Sequence, residues 1–224
     1  MPGTPDHPVR GDDRAVATLD DGTRVLLRPA GHADGPAILD GFERCSADTR
    51  YFRFLSGGYR LTDERVHALT DADHRDHAVW LALDLDAPGT PVVALARFVR
   101  SAPSPHVAEV AFIVADDYQG RGVGRLLLDA LRVSAAVDGV TMFAAHVLAE
   151  NEPMKALLFH RGARAVGRDG PELEIELDLA AAALPDVPAG LGRVLRAAAQ
   201  AVADPPDVAR AASDPGSTGP GGAH

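Results

Sequence analysis

The chain has 224 residues, 46% hydrophobic and 24% charged, with a formal net charge of -10 at pH 7. That composition supplies a core, no run reaches the roughly 18 apolar residues of a membrane span, and no basic face of the nucleic-acid-binding kind stands out. The opening MPGTPDHPVRGDD lacks an apolar signal core and Cys45 is the single cysteine, so neither export nor a disulfide framework is expected and the chain reads as cytoplasmic.

Residues 1–20 are rich in Pro, Gly and Asp and read as a flexible arm. TRVLLR (23–28) alternates as a first strand, and Pro29 stops it. Asp34 is a candidate cap for a helix running to Phe42 and Ser46 for one carrying Tyr51, Phe52, Arg53 and Phe54, while Thr62 with Arg65, Val66 and Leu69 suggests a third short helix. The pair Gly57-Gly58 is expected to end the second. Strands follow at AVWLALD (78–84), VVALARFV (92–99) and VAEVAFIVA (107–115). The turn-like links DAPGTP and RSAPSP between them predict an antiparallel meander. A helix over 124–137 carries Leu127, Leu128, Leu131 and Val133 at helical spacing. A strand over 141–148, a helix over 152–161 and a last strand over 173–179 complete a domain spanning 21–180. Residues 181–224 are expected to be a linker, a short amphipathic helix over 191–203 and a Pro/Gly/Ser-rich disordered tail. The whole reads as α+β, a mixed sheet with helices on both sides.

Gln119-Gly120-Arg121-Gly122-Val123-Gly124, between an apolar strand and a leucine-rich helix, is the segment that calls for a function. A Walker loop would end in Gly-Lys-Ser/Thr, and Gly124-Arg125-Leu126 does not. A dinucleotide fingerprint needs G-x-G-x-x-G at the first strand–helix turn, and neither the spacing nor the position fits. What remains is a tight turn whose amides converge on a pyrophosphate where the helix starts. Gly120 and Gly122 would let the backbone approach the phosphate oxygens, Gly124 would let the helix pack close to the strand, and Arg121 and Arg125 would add charge-assisted contacts.

That segment resembles the acyl-CoA signature of the GNAT N-acetyltransferase superfamily: Gln119-x-x-Gly122-x-Gly124 after an apolar strand, then a long helix, a strand over 142–147, Asn151, a helix and Gly162. The segments AEVAFIVADDYQGRGVG, VLAENEPMKALL and SADTRYFRF are most similar to bacterial Pat-type protein lysine acetyltransferases. The resemblance implies the GNAT fold, a mostly antiparallel sheet in which the strand before the glycine segment splays from its neighbour. It implies acetyl-CoA as co-substrate, the backbone of Ile113, Val114 and Ala115 along the pantetheine arm, one amide there facing the thioester oxygen, and the pyrophosphate on Gln119, Gly120, Arg121, Gly122, Val123, Gly124 and Arg125. Asn151 matches a position that commonly contacts the cofactor; it also suits a helix N-cap ahead of Glu152-Pro153, and the two roles are compatible.

Glu109 interrupts an apolar strand, where a buried carboxylate needs a partner. A substrate lysine, with a pKa near 10.4, arrives as an ammonium that cannot attack a thioester. A glutamate matching this place is the general base of the related enzymes, which implies that role for Glu109; an edge-facing acid or a salt bridge to Arg97 is the structural alternative. The tyrosine that many members carry seven residues after the asparagine, to protonate the leaving thiolate, is Leu158 here, and an aromatic common after Gly162 is Ala163. His74 and His77, among Asp71, Asp73 and Asp76, have no cysteine company, and no metal is expected. His146 reads as a core histidine rather than a second proton carrier. The resemblance implies an acceptor lysine on a protein such as an acyl-CoA synthetase; a small amine acceptor and a non-catalytic acyl-CoA-binding module remain alternatives. The fused nucleotide-binding or synthetase-like domain that Pat-type enzymes sometimes carry has no room in the residues left over.

Overall fold

HAVWLALD is apolar at both sets of alternating positions, so the strand it forms must be covered on two sides. That strand, β3 (His77–Asp84), lies inside one eight-stranded sheet. The computed structural model describes residues 13–55 and 59–179; Gly57-Gly58 and the linker, helix and tail expected over 181–224 lie outside the described residues. Around β3 the chain runs β1 (Ala15–Thr18), β2 (Arg24–Pro29), α1 (Gly35–Glu43), α2 (Ala47–Phe54) and α3 (Asp63–Thr70), then β4 (Val92–Arg100), β5 (Val107–Val114) and α4 (Val123–Val137). It closes with β6 (Met142–Leu148), α5 (Glu152–Phe159), β7 (Arg164–Asp169) and β8 (Glu172–Asp178). The strand order is β1-β2-β3-β4-β5-β6-β8-β7, antiparallel except for β5 and β6.

The two faces of β3 divide the core. Ala78, Trp80 and Ala82 pack with Phe98, Phe143 and the α4 leucines 127, 128 and 131. Val79, Leu81 and Leu83 pack on the other side with Ile38, Leu69 and Leu95, under α1 and α3. Burying side chains of this size contributes about 1.5–3 kcal/mol each. The polar end of buried Trp80 is satisfied, its Nε1–H donating to Ser134 Oγ at 3.0 Å. Midway along α4, Asp129 takes both Arg161 nitrogens, at 2.8 and 3.0 Å, and so fixes the chain just past α5 against α4.

Two strands were not expected. β1 falls within the stretch read as a flexible arm. Asp21-Gly22, with Gly22 at φ +92, turns the chain so that β1 pairs with β2, and Ala15 and Leu19 are buried. β7 pairs with β8 across the Asp169-Gly170 turn, with its register shifted between Ala165 and Gly167. The caps follow the sequence more closely. Ser46 accepts from Thr49 N–H and Thr62 from Arg65 N–H. Asp34 precedes α1, but its carboxylate is taken by Arg28 and the Gly31 N–H.

Candidate active site

β5 and β6 run parallel and are paired only from Val107↔Met142 to Glu109↔Ala144. Beyond that point β5 continues to Val114 on β4, and β6 to Leu148 on β8. Each strand therefore has one unpaired edge, and the two edges diverge as a V with Glu109 where they part. Ala115 N–H donates to Val93 C=O at 2.9 Å. In an antiparallel ladder the adjacent pair, Val114 opposite Ala94, then turns its N–H and C=O away from β4 and into the V. The Val114 carbonyl does face outward, accepting from the Gln119 side-chain amide at 3.2 Å.

Of the three residues expected along the pantetheine arm, only Val114 opens on this cleft. Ile113 and Ala115 line a separate cavity on the α1–α3 face, and the alternation of the ladder directs their backbone to β4. The expectation followed a sequence triplet, whereas a strand presents every second residue to one edge.

The glycine segment adds a second set of free backbone groups. Gly120 and Gly122 have φ of +72 and +88, a region that other residues rarely enter. Gly122 is the N-cap of α4 with no side chain to cap it, and the first helical bond runs from Leu126 N–H to Gly122 C=O. The N–H groups of Val123, Gly124 and Arg125 thus have no acceptor within the helix, and they sit at the positive end of its dipole. Gly124 departs from the expectation of close packing on the strand. A Cβ there would meet Leu157 of α5 at an ordinary 3.5 Å, and Gly124 lines the cleft.

Arg121 and Arg125 already hold acids. Arg121 Nη1 lies 2.9 Å from Asp21 Oδ2, and Arg125 Nη2 lies 3.0 Å from Asp20 Oδ1. Asp20 N–H also donates to the Arg121 carbonyl at 3.0 Å. The β1–β2 turn thus docks on the glycine segment, with Asp20 Oδ2 2.9 Å from where a Gly122 Cβ would stand. Such exposed pairs are worth about 0–1 kcal/mol and exchange readily for a phosphate. Neither the docking nor these partners was foreseen, although Asp21-Gly22 is a hairpin signal.

Glu109 is exposed on the cleft wall, not buried as its apolar strand suggested. It stands opposite Val99, while Arg97 stands opposite Ala111 and lines the other cavity, so the alternative salt bridge does not form. His146 is exposed two residues beyond Ala144 on the opposite wall, which corrects its reading as a core histidine. Asn151 borders the cleft, and its Oδ1 accepts from Met154 N–H at 3.1 Å, the N-cap role. Leu158 is buried in the core beside α4. The phenol nearest the glycine segment, Tyr118, donates to Asp84 at 2.6 Å, and burial together with that carboxylate pushes it up to about 12.

One network joins the cleft's two sides. Asp116 accepts from Ser46 N–H, Ser46 Oγ and Thr49 Oγ1 at 2.7–2.9 Å, and Gln119 Nε2 donates to Thr49 Oγ1 at 3.0 Å. Burial acts to raise the Asp116 carboxyl, but the Ser46 and Thr49 donors outweigh it and hold it below the usual aspartate value. Phe52, Arg53 and Phe54 of α2 are thereby held over the V, which encloses about 960 Å³. The free edge of β5 suits an amide-bearing arm, and the α4 amides with two arginines suit a diphosphate. Together they fit an acyl-CoA.

The model of the acetyltransferase (GNAT) family matches residues 44–162. The chain belongs to the GNAT acetyltransferase family. Acetyl-CoA is the co-substrate of GNAT acetyltransferases, and the eight-stranded sheet with its splayed pair is their fold. The chain is 41% identical over 158 residues to Acetyltransferase Pat of Mycolicibacterium smegmatis, covering 70% of this chain and 46% of that protein. It therefore spans about half the length of that relative. The crystal structure of the GNAT domain of S. lividans PAT superposes with a TM-score of 0.68 at 29% identity, covering 79% of this chain and 99% of that one. A cAMP-binding acyltransferase from Mycobacterium smegmatis superposes at 0.55 with 32% identity, covering 84% of this chain and 56% of that one. These likenesses make it a GNAT domain of the Pat type. Among its described residues no helix is long and apolar enough to cross a membrane, and no group of three or more His, Cys, Asp or Glu could hold a metal.

Proposed function

We propose that this GNAT domain transfers the acetyl group of acetyl-CoA directly to an amine, with the side chain of a protein lysine as the acceptor. The observation that carries the reading is the parting of β5 and β6 immediately after Glu109 and Ala144. It opens an unpaired strand edge and a carboxylate into the same cleft. In this scheme Val114 N–H donates to the thioester oxygen, where negative charge grows as the amine adds. The N–H groups of Val123, Gly124 and Arg125 hold the diphosphate, with Arg121 and Arg125 exchanging Asp21 and Asp20 for it. Gln119 acts from behind, fixing the Val114 carbonyl rather than touching phosphate.

Glu109 accepts a proton from the incoming ammonium, directly or through one water, leaving the lone pair that forms the new C–N bond. The C–S bond then breaks and the thiolate leaves without a side-chain acid, since Leu158 is in the core and the Tyr118 hydroxyl is held by Asp84; the second proton of the new amide nitrogen passes to the departing thiolate through water. A lysine on a protein is supported by the likeness to Pat-type enzymes and by a net charge of -10, which favours a basic acceptor loop.

Glu109→Gln tests the chemistry. Acetyl-CoA should bind as tightly as to the wild type while kcat falls about 10²–10⁴-fold, the usual worth of a positioned general base. Unchanged turnover would remove Glu109 from the mechanism. A wild-type protein that binds acetyl-CoA yet acetylates no amine would favour a non-catalytic acyl-CoA-binding module.

A further inference from the structure

Beneath α1, α2 and α3, on the face of β4 and β5 that carries Arg97, Ala111 and Glu109, lies a second cavity of about 150 Å³. Its walls are apolar, with Phe54 stacked on Tyr59 at 3.4 Å between ring centroids. Three guanidinium groups line it, those of Arg53, Arg65 and Arg97, and among the described residues no carboxylate does. Arg53 and Phe54 border both this cavity and the Glu109 cleft, so the two spaces adjoin at α2.

The three arginines are not alike. Arg65 is exposed and donates to the Arg60 carbonyl at 3.0 Å. Arg53 and Arg97 are half-buried, and among the described residues neither makes a hydrogen bond or an ion pair; Arg53 rests on the face of Phe54 at 4.6 Å. A cation withdrawn from water without a hydrogen-bonded anion is costly, and two side by side cost more. Arg53 is pushed down to about 10 by burial and then by Arg97, with Tyr59 and Glu109 only partly offsetting them, and burial and then Arg97 also lower His77. Asp34, Asp116 and Asp129, by contrast, are each paired or hydrogen-bonded.

We infer that Arg53 and Arg97 form a carboxylate-binding subsite beside the reaction centre, entered from the Glu109 end of the cleft. Planar guanidinium forks are the groups best suited to hold a carboxylate, through paired charge-assisted hydrogen bonds. Reach is adequate. Arg97 stands opposite Ala111, which is two residues from Glu109 on the same face of β5, and such diagonal neighbours lie roughly 7–8 Å apart. The volume accepts a side-chain-sized group. Its carboxylate would come from the acceptor, beside the amine to be acetylated, or from the far end of an acyl chain longer than acetyl. Only the turnover measurement below rests on the acetyl-transfer reading.

Two comparisons, each in wild type, Arg53→Gln and Arg97→Gln, separate the sources. In the donor arm, calorimetry compares acetyl-CoA with succinyl-CoA. In the acceptor arm, peptides with the target lysine flanked by glutamate or by glutamine are compared by calorimetry and by turnover. The wild type should prefer the carboxylated partner at least tenfold in one arm, and that arm names the source. Either substitution should collapse the preference, while the melting temperature holds or rises because a like-charge contact is relieved. No preference in either arm, or a preference that survives both substitutions, overturns the subsite. Each arginine tests it alone, so failure of one variant to fold leaves the other decisive. A wild type that binds these partners with the stated preference but acetylates nothing would defeat the acetyl-transfer reading and leave the subsite standing.

Discussion

The two sides of the cleft are built from different materials. In the proposed scheme the donor side, the edge of β5 with the turn into α4, presents backbone: the N–H of Val114 and those of Val123, Gly124 and Arg125. The acceptor side presents side chains of α2 and β6, among them Phe52, Arg53 and His146. Backbone groups offer the same chemistry whatever the residue, so the donor side is specified by conformation, and φ values of +72 and +88 require glycine. The acceptor side is specified by which side chains reach it, and no spacing rule marks those in a sequence. One fold can therefore keep its donor site and change its acceptor. The bridge from Asp116 and Gln119 to Ser46 and Thr49 is where the two sides must agree.

The sharpest break in that contrast is Gly122→Ala. The left-handed conformation penalises any side chain by about 1–2 kcal/mol, and the added Cβ would meet Asp20 at 2.9 Å. Acetyl-CoA affinity measured by calorimetry should fall about tenfold or more, with the acceptor KM little changed. A loss confined to the acceptor KM would mean that the two sides are not separately specified.

Acid should loosen the bridge between the sides. Because Asp116 is held below the usual aspartate value, its contribution is fully present above about pH 3.9 and is lost as pH falls through its lowered native value. The melting temperature of wild type should therefore drop more steeply between about pH 5 and about pH 2.5 than that of Asp116→Asn. Parallel curves would remove Asp116 from the coupling.

The smallest effect concerns the β1–β2 turn, whose Asp20 lies against Gly122. Asp20→Asn should tighten acetyl-CoA binding about threefold, the scale of one exposed ion pair. Weaker binding would mean that Asp20 holds Arg125 in place for the cofactor rather than competing with it.

How legible each part was follows from the same division. The meander β3–β4–β5 and the leucine face of α4 show as alternation and helical spacing, because burial imposes both. β1 was hidden by its length of four residues within a polar stretch. β7 was hidden because Arg164, Ala165 and Val166 are all exposed, so no core face patterns it. The glycine segment pointed to the cleft now proposed as the donor side, while of the triplet Ile113-Val114-Ala115 only Val114 faces the V, since pairing with β4 decides which residue does. Glu109 and His146 were misjudged in burial for a related reason. Strand composition gives the alternation of faces, but where β5 and β6 part company is set by the sheet, and that parting exposes both.

Amide hydrogen exchange with and without saturating acetyl-CoA tests most directly whether backbone donors in the V and at the start of α4 hold the cofactor. The account predicts that the amides of Val114, Val123, Gly124 and Arg125 slow by about tenfold or more on binding, while those of Ile113 and Ala115, already paired with β4, change little. Unchanged exchange at these four amides under saturation, with protection appearing elsewhere, would contradict it.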